Sequence, residues 1–201
     1  MVHIYDMPLE AIIGPMFAGK TSELIRRLER ENLAETKVIL FKHRRDQRYS
    51  EEEVVVSHDA KRFKAHQIRD SELDTILKLS KDAEVVAVDE VQFFPADIVR
   101  VINQLLHADK RVMFTCLNLN FRGEPFNDTV KELLPRADNL TYLTAVCMHK
   151  LASGKKCGRE ATMTQRIING KPAPYNSPLV LVAGKEAYEA RCFKHHEVPG
   201  D

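Results

Sequence analysis

Nowhere in these 201 residues does an apolar run approach the roughly 20 that a membrane span needs, which argues against a transmembrane helix. The opening stretch, Met1-Val2-His3-Ile4-Tyr5-Asp6, lacks the basic and apolar regions of a secretory signal, so the expected location is the cytoplasm. Charge of one sign is also missing: 30 Lys and Arg stand against 29 Asp and Glu, a net +1. No global field therefore gathers nucleic acid, a local basic patch remaining open, and a small anionic ligand suits the balance better. Internal repeats and low-complexity tracts are absent, which excludes solenoids and linker-like chains. With 44% hydrophobic and 29% charged residues, the chain reads as a soluble globular protein of one domain, or one domain plus a small appendage.

The most informative stretch present is Gly14-Pro15-Met16-Phe17-Ala18-Gly19-Lys20-Thr21, a complete G-x4-G-K-S/T phosphate loop. The pattern requires backbone N–H groups to curl around phosphate oxygens. Gly14 and Gly19 supply the backbone freedom, Lys20 neutralises charge and Thr21 ligates Mg2+. Upstream, Leu9-Glu10-Ala11-Ile12-Ile13 reads as a strand. Downstream, Leu24, Ile25 and Leu28 recur with the period of an amphipathic helix over about 21–33.

Further apolar runs at 38–41, 85–88 and 112–116 alternate with helical patterns at about 71–79 and 95–107, the last with Pro95 in its first turn. This alternation predicts an α/β fold with strands buried on both faces. The charged stretch 42–64 reads as loop and short strand. Alternation stops near Tyr142, where Gly, Pro, Cys and His accumulate, so a domain boundary is expected between 1–141 and 142–201.

The run Val85-Val86-Ala87-Val88-Asp89-Glu90 has the pattern of a Walker-B strand ending in two carboxylates. Asp89 is expected to hold Mg2+. Glu90 is free for a second task, either accepting a proton from a substrate hydroxyl or orienting a hydrolytic water. Cys116 closes an apolar strand and reads as a buried core thiol. The other three cysteines, Cys147, Cys157 and Cys192, together with His195 three residues past Cys192, form a Cys3His set suited to a structural zinc ion. His149 and His196 are rival ligands, while Cys-x2-His spacing favours His195. A small module with so little apolar content is expected to need the metal to fold.

Five segments, 14–24, Phe41-Lys-His-Arg-Arg-Asp-Gln-Arg-Tyr-Ser50, Asp89-Glu-Val-Gln-Phe-Phe94, Phe121-Arg-Gly-Glu-Pro-Phe126 and Leu143-Thr-Ala-Val-Cys147, together resemble the cytosolic zinc-containing thymidine kinases. They occur in family order and span nearly the whole chain. The resemblance implies a phosphate-loop NTPase-like (RecA-like), mostly parallel sheet flanked by helices, plus a small C-terminal zinc domain with a lasso loop. It implies transfer of the γ-phosphate of ATP, with Mg2+, to the 5′-hydroxyl of thymidine and of deoxyuridine. Residues 14–21, with Asp46, Gln47 and Arg48 and with Asp89, Glu90, Val91 and Gln92, would form the donor site, and Glu90 would be the catalytic base. Met16, Phe93, Leu117, Phe121, Thr164 and Tyr188 would surround the nucleoside. Leu179, Val180, Leu181, Val182 and Ala183 would read the base through main-chain groups of a lasso over 167–188. A homotetramer, with feedback inhibition by thymidine triphosphate, is also implied.

Two departures from the family pattern stand out. Asn118 replaces the usual Asp after the strand Leu, so a carboxylate is missing there. Nine residues separate Cys147 from Cys157 where the family has about two, which reads as a seven-residue insertion in the zinc knuckle. Two rival functions are a nucleic-acid-binding ATPase, disfavoured by the neutral charge balance, and a nucleotide-sensing switch without transfer chemistry.

Overall fold

The strand ahead of the phosphate loop is β1 (Leu9–Ile13), in which every residue is buried. In the computed structural model, which describes residues 8–44, 54–56, 62–179 and 187–200, it is followed directly by α1 (Lys20–Leu33). The chain continues through β2 (Val38–His43), β3 (Val54–Val56), β4 (Arg62–Lys64), β5 (His66–Ile68), α2 (Leu73–Leu79), β6 (Val85–Asp89), α3 (Ile98–His107), β7 (Arg111–Cys116), α4 (Asp128–Leu133) and β8 (Asn139–Tyr142). It closes with β9 (Ala145–Val146), β10 (Glu160–Ala161), β11 (Met163–Ile168), β12 (Lys171–Pro172) and β13 (Ala187–Arg191).

Contacts divide the chain into two compact units, each drawn from separate stretches: one from 8–13, 20–116 and 127–141, the other from 14–19, 117–126 and 142–200. The first is built on a six-stranded sheet in the order β5-β2-β6-β7-β1-β8. Its pairs β2 with β5, β2 with β6, β6 with β7 and β1 with β7 are all parallel. Near-complete burial of β1, β6 and β7 explains why these strands read as continuous apolar runs: both faces of a parallel sheet are covered.

Two helices show how the sequence meets this sheet. In α1 the buried residues Lys20, Leu24, Ile25 and Leu28 recur at helical spacing, and in α3 Ile98, Val99, Val101, Ile102 and Leu105 do the same. Each fully buried aliphatic side chain contributes about 1.5–3 kcal/mol of transfer free energy. A charged tie accompanies α1. The buried Glu10 of β1 accepts from Arg27 of α1 at 2.9 Å and from Arg111 of β7 at 2.6 Å, and Arg111 also pairs with Glu31. A carboxylate at that depth is tolerable because two guanidiniums satisfy it.

Element boundaries differ from the sequence reading in three places. Pro95 lies in a turn whose bonds run from the Ile98 and Val99 amides to the Pro95 and Ala96 carbonyls, so α3 begins at Ile98. The helix expected from about 71 opens as a 3-10 turn and becomes α-helical at Leu73. The short α4, unmarked by any long periodic run, is set by its cap: the Asn127 side chain accepts from the Val130 amide at 3.1 Å.

The second unit has an antiparallel β9/β10 pair and a three-stranded antiparallel sheet in the order β12-β11-β13. Asn169 and Gly170 adopt φ of 50° and 78°, which gives the tight turn between β11 and β12. A small cluster of Ala145, Cys147, Ala161, Ala190 and Cys192, with Ala18 and Cys157 against it, forms a core of alanines and thiols. Such side chains bury little area, so this part of the unit depends on something besides apolar contact.

Candidate functional site

Two carboxylates end β6, and the first unit fixes both. Asp89 is buried. One of its oxygens accepts from the Thr115 hydroxyl at 2.6 Å, and both stand 3.3 Å from the Thr21 hydroxyl at the start of α1. Glu90 follows in a left-handed conformation (φ 52°), so the chain turns sharply as the strand ends. Its amide donates to the Thr115 hydroxyl at 2.8 Å, its carboxylate accepts from the Gln92 side chain, and it lies 4.0 Å from the Lys20 ammonium. Lys20, Glu90 and Gln92 are all buried. Val91 and Phe93 lie in the 3-10 turn after Glu90, Val91 buried and Phe93 partly exposed. The sequence reading left Glu90 free for a task other than holding Mg2+, and in the structure its amide and its carboxylate each have a partner, as a buried acidic residue requires.

Chemically, this end of β6 carries an acceptor-only carboxylate beside a hydroxyl, a second carboxylate and an ammonium. Asp89 and Thr21 offer the hard oxygen ligands that Mg2+ takes. Cys116, one residue past Thr115, is inert by comparison. Burial, opposed by the charge of Lys20 and aided by that of Glu90, pushes its thiol up to about 12.

The loop residues 14–19 belong to the second unit and run on covalently into Lys20. Gly14 is sterically compelled: at φ 151°, a Cβ there would stand 2.3 Å from the Leu143 carbonyl oxygen. Pro15 is buried, and Phe17 is left-handed (φ 66°) and exposed. Gly19 also has positive φ, at 80°. The Met16 amide donates to the hydroxyl of the buried Thr164 on β11 at 3.1 Å, so two residues named for the nucleoside meet through a hydrogen bond.

In the same unit Leu117 and Phe121 are buried, and Tyr188 and Leu179 are partly exposed. The Asn118 side-chain oxygen finds no partner among the described residues. Asp46, Gln47 and Arg48 of the expected donor site, and Val180, Leu181, Val182 and Ala183 of the expected base reader, lie outside the described residues.

The Cys3His residues converge. Cys147, Cys157, Cys192 and His195 bring their ligand atoms within 4.8 Å of one another, with His195 Nδ1 3.7 Å from Cys147 Sγ and 3.4 Å from Cys192 Sγ. Metal–ligand bonds of about 2.0–2.3 Å in a tetrahedron set the ligand atoms roughly 3.5–3.8 Å apart, so the set fits zinc. Electrostatics are consistent with this. Burial disfavours the Cys147 thiolate, but amide bonds from Cys192 and His149 and side-chain bonds from Cys192 and Cys157 outweigh it and hold the thiol below its ordinary value. Burial and the neighbouring Cys147 push Cys192 upward. Lost hydration, then the charges of His149, Lys194, Arg159 and Arg191, lower His195 and favour the neutral imidazole that ligates metal.

The rival histidines are engaged elsewhere. His149 stacks on the His195 ring (centroids 4.1 Å apart, 21° between planes) and lies 2.5 Å from the Arg191 guanidinium. His196 Nε2 is 2.9 Å from the Phe121 carbonyl oxygen, to which it donates. The seven extra residues fold back on themselves, with Lys150 bridged to Lys156 and the Cys157 amide donating to the His149 carbonyl at 2.8 Å.

Sequence reasoning missed three side chains that the structure makes prominent. Thr115 left a faint signal, a hydroxyl within the apolar run of β7. Arg122 and Arg166 left none, because an arginine in a polar stretch reads as surface.

The comparisons follow the same outline. The family model for thymidine kinase matches residues 7–196. A thymidine kinase of Thermococcus kodakarensis is 50% identical over 197 residues, covering 96% of this chain and 95% of that protein. One from Coprothermobacter proteolyticus is 49% identical, covering 96% and 91%, and one from Pyrobaculum aerophilum is 46% identical, covering 95% and 99%. With a phosphate loop leading into Lys20 and Thr21, a paired carboxylate at the end of β6, a Cys3His cluster and similarity over nearly its full length, this chain belongs to the thymidine kinase family.

Proposed function

We propose that this enzyme transfers the γ-phosphate of ATP to the 5′-hydroxyl of thymidine. The observation that carries the reading is the group of the buried Lys20, Asp89 and Glu90 with the half-buried Thr21 around the end of β6. As the 5′-oxygen attacks the γ-phosphorus, Glu90 accepts the hydroxyl proton, the bond to the bridging oxygen breaks and ADP leaves. Thr21 and Asp89 would hold Mg2+, which supplies neutralising charge on the phosphates. Lys20 and the amides of residues 14–19 would align the donor, joined by Asp46, Gln47, Arg48, Val91 and Gln92. Such alignment accounts for much of the rate in phosphoryl transfer.

Residues 1–141 are assigned to the phosphate donor and 142–201 to zinc and most of the nucleoside contacts. The nucleoside contacts are Met16, Phe93, Leu117, Phe121, Thr164, Leu179, Val180, Leu181, Val182, Ala183 and Tyr188. Cys147, Cys157, Cys192 and His195 would hold a structural zinc ion, since four protein ligands leave no open position. The resemblance further supports acceptance of deoxyuridine, inhibition by thymidine triphosphate, a homotetramer and a cytoplasmic location. Among the described residues no helix is long and apolar enough to cross a membrane.

Incubation with Mg-ATP and labelled thymidine tests the activity. Thymidine monophosphate is the expected product, and none at micromolar substrate would sink the reading. Glu90→Gln should retain ATP binding while kcat falls by roughly 10²–10⁴-fold, and unaltered turnover would remove Glu90 from its role.

A further inference from the structure

Arg166 of β11 is the largest fully buried side chain among the described residues, with 0% of its surface exposed. A guanidinium does not shed its proton, so what it touches must compensate for keeping it dry. It donates through Nη1 to the Pro178 carbonyl, and its Cζ stands 5.1 Å from the Phe121 ring centroid and 5.7 Å from that of Tyr188. Tyr188 is its direct cross-strand partner on β13. Arg166 therefore joins Pro178 and Tyr188 and ties both to one aromatic ring.

Arg122 repeats the arrangement from the 117–126 loop. Its Nε donates to the Tyr175 carbonyl at 2.7 Å and its Nη2 to the Ser177 carbonyl at 2.9 Å. Its Cζ lies 5.1 Å from the Phe121 centroid and 5.0 Å from that of Tyr175. The Tyr175 hydroxyl in turn donates to Glu124 at 2.5 Å, and Glu124 stands 4.0 Å from Arg122. Two guanidiniums thus share the Phe121 ring, and between them they hold the carbonyls of Tyr175, Ser177 and Pro178. Charge-assisted bonds and cation–π contacts fix both position and plane, which flexible apolar packing does not.

We infer that Arg122 and Arg166 are positioning residues for the nucleoside: they fix the Phe121 ring, the stretch from Tyr175 to Pro178 and Tyr188 before the nucleoside arrives. The inference rests on the reading of Phe121, Leu179 and Tyr188 as nucleoside contacts. Preorganisation of this kind removes an ordering cost from one ligand alone. Neither arginine belongs to the group that handles ATP, so the two substrates should respond differently to its loss.

The test compares the zinc-loaded wild type with Arg122→Ala, Arg122→Lys and Arg166→Lys, measuring KM for thymidine and for ATP, kcat and the thermal midpoint. Arg122 is partly exposed, so its loss should leave the fold intact even if the buried Arg166 does not tolerate change. For Arg122→Ala the thymidine KM should rise roughly tenfold, with ATP KM within about twofold and kcat within about threefold. Lysine keeps the charge without the planar fork, so Arg122→Lys should recover only part of the loss. Parallel rises in both KM values, or an unaltered thymidine KM in Arg122→Ala, would overturn the positioning role alone. A wild type that makes no thymidine monophosphate would overturn the kinase reading and this inference with it.

Discussion

Thr115 shows how much one hydroxyl can organise. It donates to Asp89 and accepts from the Glu90 amide, so it fixes the Asp89 carboxylate against the Glu90 backbone at the end of β6. Thr115→Val keeps the shape but leaves a buried carboxylate oxygen and a buried amide without that partner. The expected cost is about 1–3 kcal/mol in denaturant unfolding, with a fall in kcat larger than any rise in either KM. Thr115→Ser should restore both. A stable valine variant with full turnover would show that the hydroxyl is dispensable. Residue-level reading from sequence found Asp89 and Glu90 because an apolar strand ending in two acids is a local pattern. It passed over Thr115 because the residue's importance lies across the β6/β7 pair.

At the level of elements, α1 is held to its sheet by charge as well as by Leu24, Ile25 and Leu28. Hydrogen bonding from Arg26, opposed by partial burial and aided by Arg27, holds the Glu23 carboxyl at about 2, against an ordinary 4.5. Because the folded value is depressed, the stabilisation is fully present above about pH 4.5 and is lost as pH falls toward 2. Glu23 keeps partial access to solvent, so screening limits the effect to at most about 1 kcal/mol. Glu23→Gln should therefore lower stability slightly at pH 7 and much less at pH 2, as chemical denaturation across that range would read. An equal loss at both pH values would indicate a packing effect.

The knuckle insertion is a second element with a testable boundary. Residues 150–156 leave and re-enter beside the bond from the Cys157 amide to the His149 carbonyl. Deleting them should retain one zinc per chain by metal analysis and shift the thermal midpoint by no more than about 4 °C. Loss of zinc would mean that the hairpin supports the ligands. Sequence spacing named the extra residues, and the structure explains how a nine-residue gap still brings Cys157 to Cys147: the excursion closes on itself.

For the whole molecule, the cluster of Cys147, Cys157, Cys192 and His195 ties β9, β13 and the chain between them, where the local core is mostly alanine and thiol. If this cluster holds zinc as proposed, chelation should loosen 147–195 and raise the thymidine KM more than the ATP KM, with hydrogen exchange increasing over the same residues. Equal effects on both substrates would argue against a separate nucleoside role for this part of the chain.

The sequence by itself determined the features that short-range rules control. The phosphate loop, the amphipathic α1 and α3, the apolar parallel strands and the Cys3His set each depend on residue types at fixed spacing, because helix period, strand burial and metal ligation act over a few residues. Only the tertiary structure decided the rest. It grouped 14–19 and 117–126 with the C-terminal stretch, made Gly14 indispensable against Leu143 and bonded the Met16 amide to Thr164. It also placed Arg166 on Phe121. These contacts join residues far apart in the chain, and they exist only once strand register and loop path have been set by the packing of the whole.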